Sequence, residues 1–251
     1  MPRTLSASKS LTDENPFTLS LGDLMAGLLL IFVLLLSFVM LDLMEKEERD
    51  SEINKRLLEI FTDYVKLREE LYKDLENEFE KDLQKWNAVL DREKLSVRFK
   101  EPKVLFKQGE AEVQFAFKEI LDDFFPRYIR ILKRPEYVND IAEIRIEGHT
   151  SSEWSGIVSQ QDAYILNMEL SQDRTRSVLQ YVLHIPEIGT NRDWIQQLLT
   201  ANGLSSSKLI DNPDGTQNRE ESRRVEFRVR TNAEKQLEKI KELEHLIGDK
   251  P

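Results

Sequence analysis

Residues 19–43 read LSLGDLMAGLLLIFVLLLSFVMLDL, and this run limits what the chain can fold into more than any other feature. As an α-helix its 25 residues rise about 37 Å, enough to cross a hydrocarbon core of about 30 Å. Sixteen of the 18 positions from 24 to 41 are hydrophobic. Hydrocarbon gives a lone segment's backbone no hydrogen-bonding partner, so the run must be a helix. It passes directly into Met44-Glu-Lys-Glu-Glu-Arg without a small-residue cleavage site, which predicts a retained single-pass anchor rather than a removed signal peptide. Arg3 and Lys9 nearly balance Lys46 and Arg49, so charge barely sets orientation. The short N-terminus, residues 1–18, favours an N-terminus in the cytoplasm.

Asp23 is the unusual residue, because an ionisable group inside a spanning segment is costly and by default functional. Two readings stand. Ser20-Leu-Gly-Asp23 fits an S-x-x-D pattern in which the acid only caps the helix N-terminus. Alternatively, Asp23 carries protons. At helical spacing it is followed by Ala26, Gly27, Leu30, Leu34 and Ser37, and the small residues beside the acid let another helix approach closely. A carboxylate held there can take up and release a proton, and each proton moved down 100 mV yields about 2.3 kcal/mol. A lone aspartate serves sodium equally well. Asp42, at the far end, reads as a solvated boundary acid.

Outside this run the chain is strongly charged, with 36 Lys and Arg against 46 Asp and Glu and a net charge of −10. That balance excludes a direct nucleic-acid partner, which needs a concentrated basic surface. The absence of cysteine removes disulfides, thiolate metal sites and thiol nucleophiles. Only His149, His184 and His245 remain for imidazole chemistry, and there is no phosphate-cradling glycine-rich loop. No catalytic residue, metal or cofactor is expected, and the chain reads as a non-enzyme.

Residues 44–94 hold 11 basic and 16 acidic side chains with no glycine or proline, the composition of a long solvent-facing helical stalk. Ile53, Leu57, Ile60, Tyr64, Leu67 and Leu71 step by four and three in a heptad seam. Leu75, Phe79 and Leu83 then step by four, like a stutter that straightens a supercoil, before Trp86 and Leu90. The seam predicts either self-association as a homodimer or a helix folded back on the C-terminal domain.

From residue 95 to 232 the pattern changes to short alternating elements, predicting an α/β layer sandwich. Strands are expected at 95–99, 103–106, 143–150 and 223–231, with a turn at Gln108-Gly109. Helices are expected at 115–133, disturbed at Pro126, at 170–183 after a polar loop, and at 193–201, closed at Asn202-Gly203. A polar tail helix is expected at 233–247, with His245 solvated. The fold class as a whole is α+β.

Within this domain, Ile146-Glu-Gly-His-Thr150, then Asn167-x-x-Leu170-Ser171-x-x-Arg174, then Arg219-x-x-Ser222-Arg223-Arg224-Val225-Glu226 resemble, in order, three blocks of the OmpA-like peptidoglycan-binding domain. The resemblance implies a pocket for the diaminopimelate side chain of the wall stem peptide. Arg174 would fork onto a carboxylate, Asn167 would supply amide hydrogen bonds, Leu170 packing, Thr150 a backbone or hydroxyl contact, and Arg223 either ligand contact or a fold-stabilising pair. Where the family has an aspartate after the HT pair, this chain has Ser151, and where it has an asparagine before the final Arg-Arg, Ser222. Glu153 or Asp162 are the candidates to restore the missing negative charge. His149 is expected in a structural hydrogen bond, and His184 carries no signal.

A short N-terminus, a spanning helix with an aspartate near its start, a helical stalk and an OmpA-like domain together resemble the MotB family of stator subunits. The resemblance implies two copies on the axis of a pentameric ring of MotA-type multi-span subunits, anchored to peptidoglycan, with Asp23 as the proton carrier. The SLGDLMAGLLLIF run is most similar to the ZorB branch, from the Zorya anti-phage systems, whose ring partner is ZorA. Membrane lipid is the remaining partner. The alternatives are a flagellar-type stator subunit and a passive peptidoglycan tether without ion conduction.

Overall fold

The computed structural model describes residues 16–100, 105–156 and 158–233, with side chains from residue 21 onward. His245 and all but the first residue of the expected tail helix lie outside these residues, as do Arg3, Lys9 and the first half of the 103–106 strand. The chain forms two compact units that divide between Leu58 and Glu59.

Helix α1 (Pro16–Leu83) begins on a proline, whose missing N–H costs nothing in a first turn. Asp23 therefore lies inside the helix rather than in its first turn, and Ser20 too lies within the helix. Every described side chain from residue 21 to 56 is exposed, the large hydrophobic ones from 49% at Leu21 to 70% at Phe38. A helix apolar on all sides and covered by no protein matches lipid as its solvent. Among the described residues it is the one helix long and apolar enough to cross a membrane, with a mean hydropathy of 3.0 over 18 residues.

In the second unit the end of α1 joins the domain core. Leu71, Leu75 and Phe79 are fully buried, and the Phe79 ring lies 5.2 Å from Phe124 and 5.8 Å from Trp86. The run of fours in the sequence is thus a straight i, i+4 stripe laid against the protein's own domain. The stalk expected over 44–94 divides accordingly: from Leu71, nearly its last half, it packs into the core, and β1 (Ala88–Asp91) is a sheet strand. Arg127 clamps the arrangement, donating to Glu78 at 2.8 Å and Asp82 at 2.9 Å while its guanidinium lies over Phe79.

The sheet has the order β1-β2-β5-β3-β4, where β2 is Ser96–Phe99, β3 is Ile141–His149, β4 is Leu199–Gly203 and β5 is Arg224–Thr231. All neighbours pair antiparallel except β3 and β4, which run parallel. Alternation puts Val97, Phe99, Ile144, Ile146, Val225, Phe227 and Val229 on one face. Helix α2 (Phe115–Leu132) covers that face, with Phe124 5.2 Å and Phe125 5.9 Å from Phe227. Pro126 sits within this helix without ending it. The opposite face is a charged ladder in which fully buried Glu226 accepts from Arg224 at 2.6 Å, Arg98 at 3.1 Å and Ser96 at 3.0 Å.

Three elements differ from expectation. Helix α3 (Gln160–His184) starts at Gln160 rather than 170, because Ser159 caps it by accepting the Asp162 N–H at 3.1 Å. The helix expected over 193–201 stops early: α4 (Arg192–Leu198) gives way to β4, where pairing of Leu199 beside Ile144 outweighs helix propensity. In place of a second strand at 103–106, Phe106 makes an isolated antiparallel bridge to Val113, closed around Gly109 at φ +74°.

Candidate functional site

The three sequence blocks converge at the end of β3. This strand delivers Gly148, His149, Thr150 and Ser151, α3 brings Asn167, Leu170, Ser171 and Arg174, and a short helix, α5 (Arg219–Ser222), leads Arg223 into β5. A small cleft is lined here by Phe106, His149, Ser171, Arg174 and Arg223, among others.

Arg174 does not make the surface salt bridge open to it with Asp173, which pairs instead with Arg176 at 2.7 Å. Its Nε donates to the Glu110 carbonyl at 2.9 Å, its Nη2 to the Lys107 carbonyl at 3.2 Å, and its guanidinium lies 4.9 Å from the Phe106 ring centroid. The 105–113 loop therefore fixes the plane of the fork and leaves Nη1 and one Nη2 hydrogen free for a carboxylate. Burial, and then the like charge of Arg223, push the Arg174 pKa down to about 10. The Arg223 Nε is buried without a hydrogen-bond partner. Two guanidiniums held together without a carboxylate, among the described residues, form an arrangement that a bound anion stabilises.

The other positions frame this pair. The Asn167 amide is buried and donates to the Glu153 carbonyl at 3.1 Å, which ties Glu153 to α3. Thr150 and Ser151 are 3% and 5% exposed, and the Thr150 hydroxyl is buried without a hydrogen-bond partner. Leu170 on α3 is half-buried. The two candidates for the missing negative charge are engaged elsewhere: Glu153 pairs with Arg219 at 2.6 Å, and Asp162 accepts from Ser159 at 2.7 Å. Ser222 is buried and exchanges hydrogen bonds with the backbone of Ile210, a structural role.

The structural hydrogen bond expected of His149 is not formed. Its ring is buried 3.8 Å from Glu147 and 3.9 Å from Glu226, beyond hydrogen-bond range. Burial, opposed by Glu147, holds its pKa below the usual value. Glu147, His149 and Glu226 are close enough to share a metal ion, but Glu226 is already saturated by two guanidiniums, and the group reads as part of the charged ladder. Arg224, which also donates to Lys208 and Ser222 carbonyls, is structural.

Two contributors were missed from sequence. The 105–113 loop carries no polar pattern that announces its carbonyls. Ser205, at φ +51°, donates its N–H to Ser171 Oγ at 3.0 Å and its hydroxyl to the Tyr164 carbonyl at 2.8 Å, and accepts from the Thr150 N–H at 2.9 Å, joining β3 to α3.

Several solved structures are similar in fold: a MotB-like protein from Desulfovibrio vulgaris is 24% identical, with 67% of this chain and 96% of that one covered and a TM-score of 0.48. The cell wall anchor of the type VI secretion system of Pseudomonas aeruginosa is 20% identical, covering 63% and 97%, with a TM-score of 0.42. No protein-family model matches the chain. The curated Zorya protein ZorB of Escherichia coli, strain Crooks, is 43% identical over 227 residues, 90% of this chain and 93% of the relative. At that identity and coverage, the chain belongs to the ZorB family.

Proposed function

We propose that this protein is the wall-anchored, proton-carrying subunit of an ion-driven membrane motor, acting in anti-phage defence. The observation that carries the reading is Asp23, a carboxylate two turns inside a helix that is apolar on every side. Its place inside the helix supports a role other than capping. Gly27, one turn on, has open space where a Cβ would be, so a neighbouring helix can come close to the acid. Membership of the ZorB family supports a multi-span ring subunit of the MotA or ZorA kind as that neighbour, with two copies of this chain at its centre.

The C-terminal domain stands on the far side of the membrane, in the periplasm, and holds the subunit still by gripping peptidoglycan. The Arg174–Arg223 pair supports a carboxylate of the stem peptide as the ligand. A passive tether would need no acid in its anchor. Asp23→Asn tests the difference: the variant is expected to assemble with its ring partner yet lose proton flux and phage protection. Full flux and protection in an assembled Asp23→Asn complex would overturn the proton-carrier role. The chain itself performs no catalysis in this reading, and its energy comes from the ion gradient.

A further inference from the structure

A second cleft, of about 380 Å3, opens beside the arginine cleft and is lined by Ser152, Gln160, Gln161, Tyr164, Ile165 and Ser206. Its size falls within the ~300–1,000 Å3 of small-molecule sites. None of its lining residues is charged, in a chain with 33% charged residues. Tyr164 and Ile165 are 41% and 63% exposed and provide an apolar platform, around which two amides and two hydroxyls supply donors and acceptors. A stacking face edged by neutral polar groups suits a neutral saccharide, whose C–H faces pack on a ring while its hydroxyl and N-acetyl groups hydrogen-bond at the rim.

The two clefts have separate linings, joined through Ser205. Ser171 lines the arginine cleft and accepts the N–H of Ser205, the residue before Ser206, and Ser205 in turn binds the carbonyl of Tyr164. Chemically they divide into a cationic site and a neutral one. Peptidoglycan divides the same way, into carboxylate-bearing stem peptides and neutral N-acetylated glycan strands. We infer that the Tyr164 cleft is a glycan subsite, which takes N-acetylated sugar residues of the strand whose stem peptide is held by Arg174. This inference rests on the peptidoglycan reading of the arginine cleft.

The test is titration of the full chain in detergent micelles with two separate probes, chitotetraose as a neutral N-acetylated glycan and a free stem tripeptide ending in diaminopimelate. Wild type is expected to bind both. Tyr164→Ala should weaken chitotetraose about tenfold, equivalent to about 1.4 kcal/mol, and leave the tripeptide unchanged. Gln160→Ala should weaken chitotetraose by a smaller factor, and Arg174→Ala should show the reverse selectivity. Absence of chitotetraose binding to wild type, or equal binding by wild type and Tyr164→Ala, overturns the glycan subsite. Tripeptide binding that is unchanged by Arg174→Ala overturns the arginine-cleft reading instead, so the two failures are distinguishable.

Discussion

The guanidinium of Arg174 lies 4.9 Å from the ring centroid of Phe106, a residue 68 positions earlier, and is tied by two hydrogen bonds to carbonyls of the loop that follows that ring. The loop positions the fork without consuming it. Arg174→Ala is therefore expected to abolish co-sedimentation of the detergent-solubilised chain with purified sacculi. Arg174→Lys should not rescue it, since an ammonium cannot reach both carbonyls and still offer a planar pair of donors. Sedimentation of Arg174→Lys at the wild-type level would show that charge alone suffices.

Where the domain begins is a second testable matter. Leu71, Leu75, Phe79 and Trp86 are buried in the same core as Phe124 and Phe99, and β1 hydrogen-bonds to β2. A fragment starting at residue 95 lacks all of these, whereas residues 59–233 keep them. The shorter fragment is expected to be unfolded or aggregated, and the longer one to melt cooperatively. Within the longer fragment, Phe79→Ala should cost about 3–5 kcal/mol. Circular dichroism melts separate these outcomes, and a cooperatively folded 95–233 fragment would contradict the placement of α1 in the core.

Acid should weaken the domain in two steps. Burial lowers the pKa of His149 from 6.5, so the folded state binds fewer protons than the unfolded state just below that pH, and stability declines as pH falls through about 6.5. Burial alone would raise Glu226, but Arg224 and Arg98 outweigh it and bring the carboxyl down from 4.5 to about 2. Its contribution, on the order of 3 kcal/mol, is complete above pH 4.5 and lost as pH falls toward 2. Melts of the 59–233 unit at pH 8, 5.5, 4.5 and 2.5 should show a falling Tm, with the first step absent in His149→Gln and the second, between pH 4.5 and 2.5, retained there. A Tm that rises on acidification would contradict both assignments.

The elements that proved legible in sequence were those whose local pattern and tertiary environment agree. Alternation in Arg223-Arg-Val-Glu-Phe-Arg-Val-Arg gave a strand because its two faces meet two different layers, one aromatic and one charged. Leu199–Gly203 was not legible, because what makes it a strand is parallel pairing with β3, far away in sequence. The stripe at Leu71, Leu75 and Phe79 was visible as apolar, but its spacing is the same whether another chain or the protein's own α2 lies against it. At the site, motif spacing brought Asn167 and Arg174 together with Thr150, while the carbonyls that hold Arg174 belong to a loop of unremarkable composition and left no trace.

Two glycines set how closely α3 lies on the sheet, and through it the site. Gly148 and Gly203 face each other in register on β3 and β4. A Cβ on Gly203 would come within 2.3 Å of the Gln172 backbone nitrogen and 2.7 Å of its Cα, and one on Gly148 within 2.9 Å of the Ser171 carbonyl oxygen. Helix backbone cannot swing aside as a flexible side chain can, so Gly203→Ala must push α3 outward, at a cost of about 1–3 kcal/mol. That helix carries Asn167, Ser171 and Arg174, so the same change should weaken sacculus binding as well as lower Tm by about 2–4 °C per kcal/mol. Gly215→Ala is the control: its φ of +80° makes a Cβ costly, but nothing lies within 4 Å. It should lower Tm and leave sacculus binding intact. If Gly203→Ala also bound sacculi like wild type, the close seating of α3 would matter for stability and not for the site.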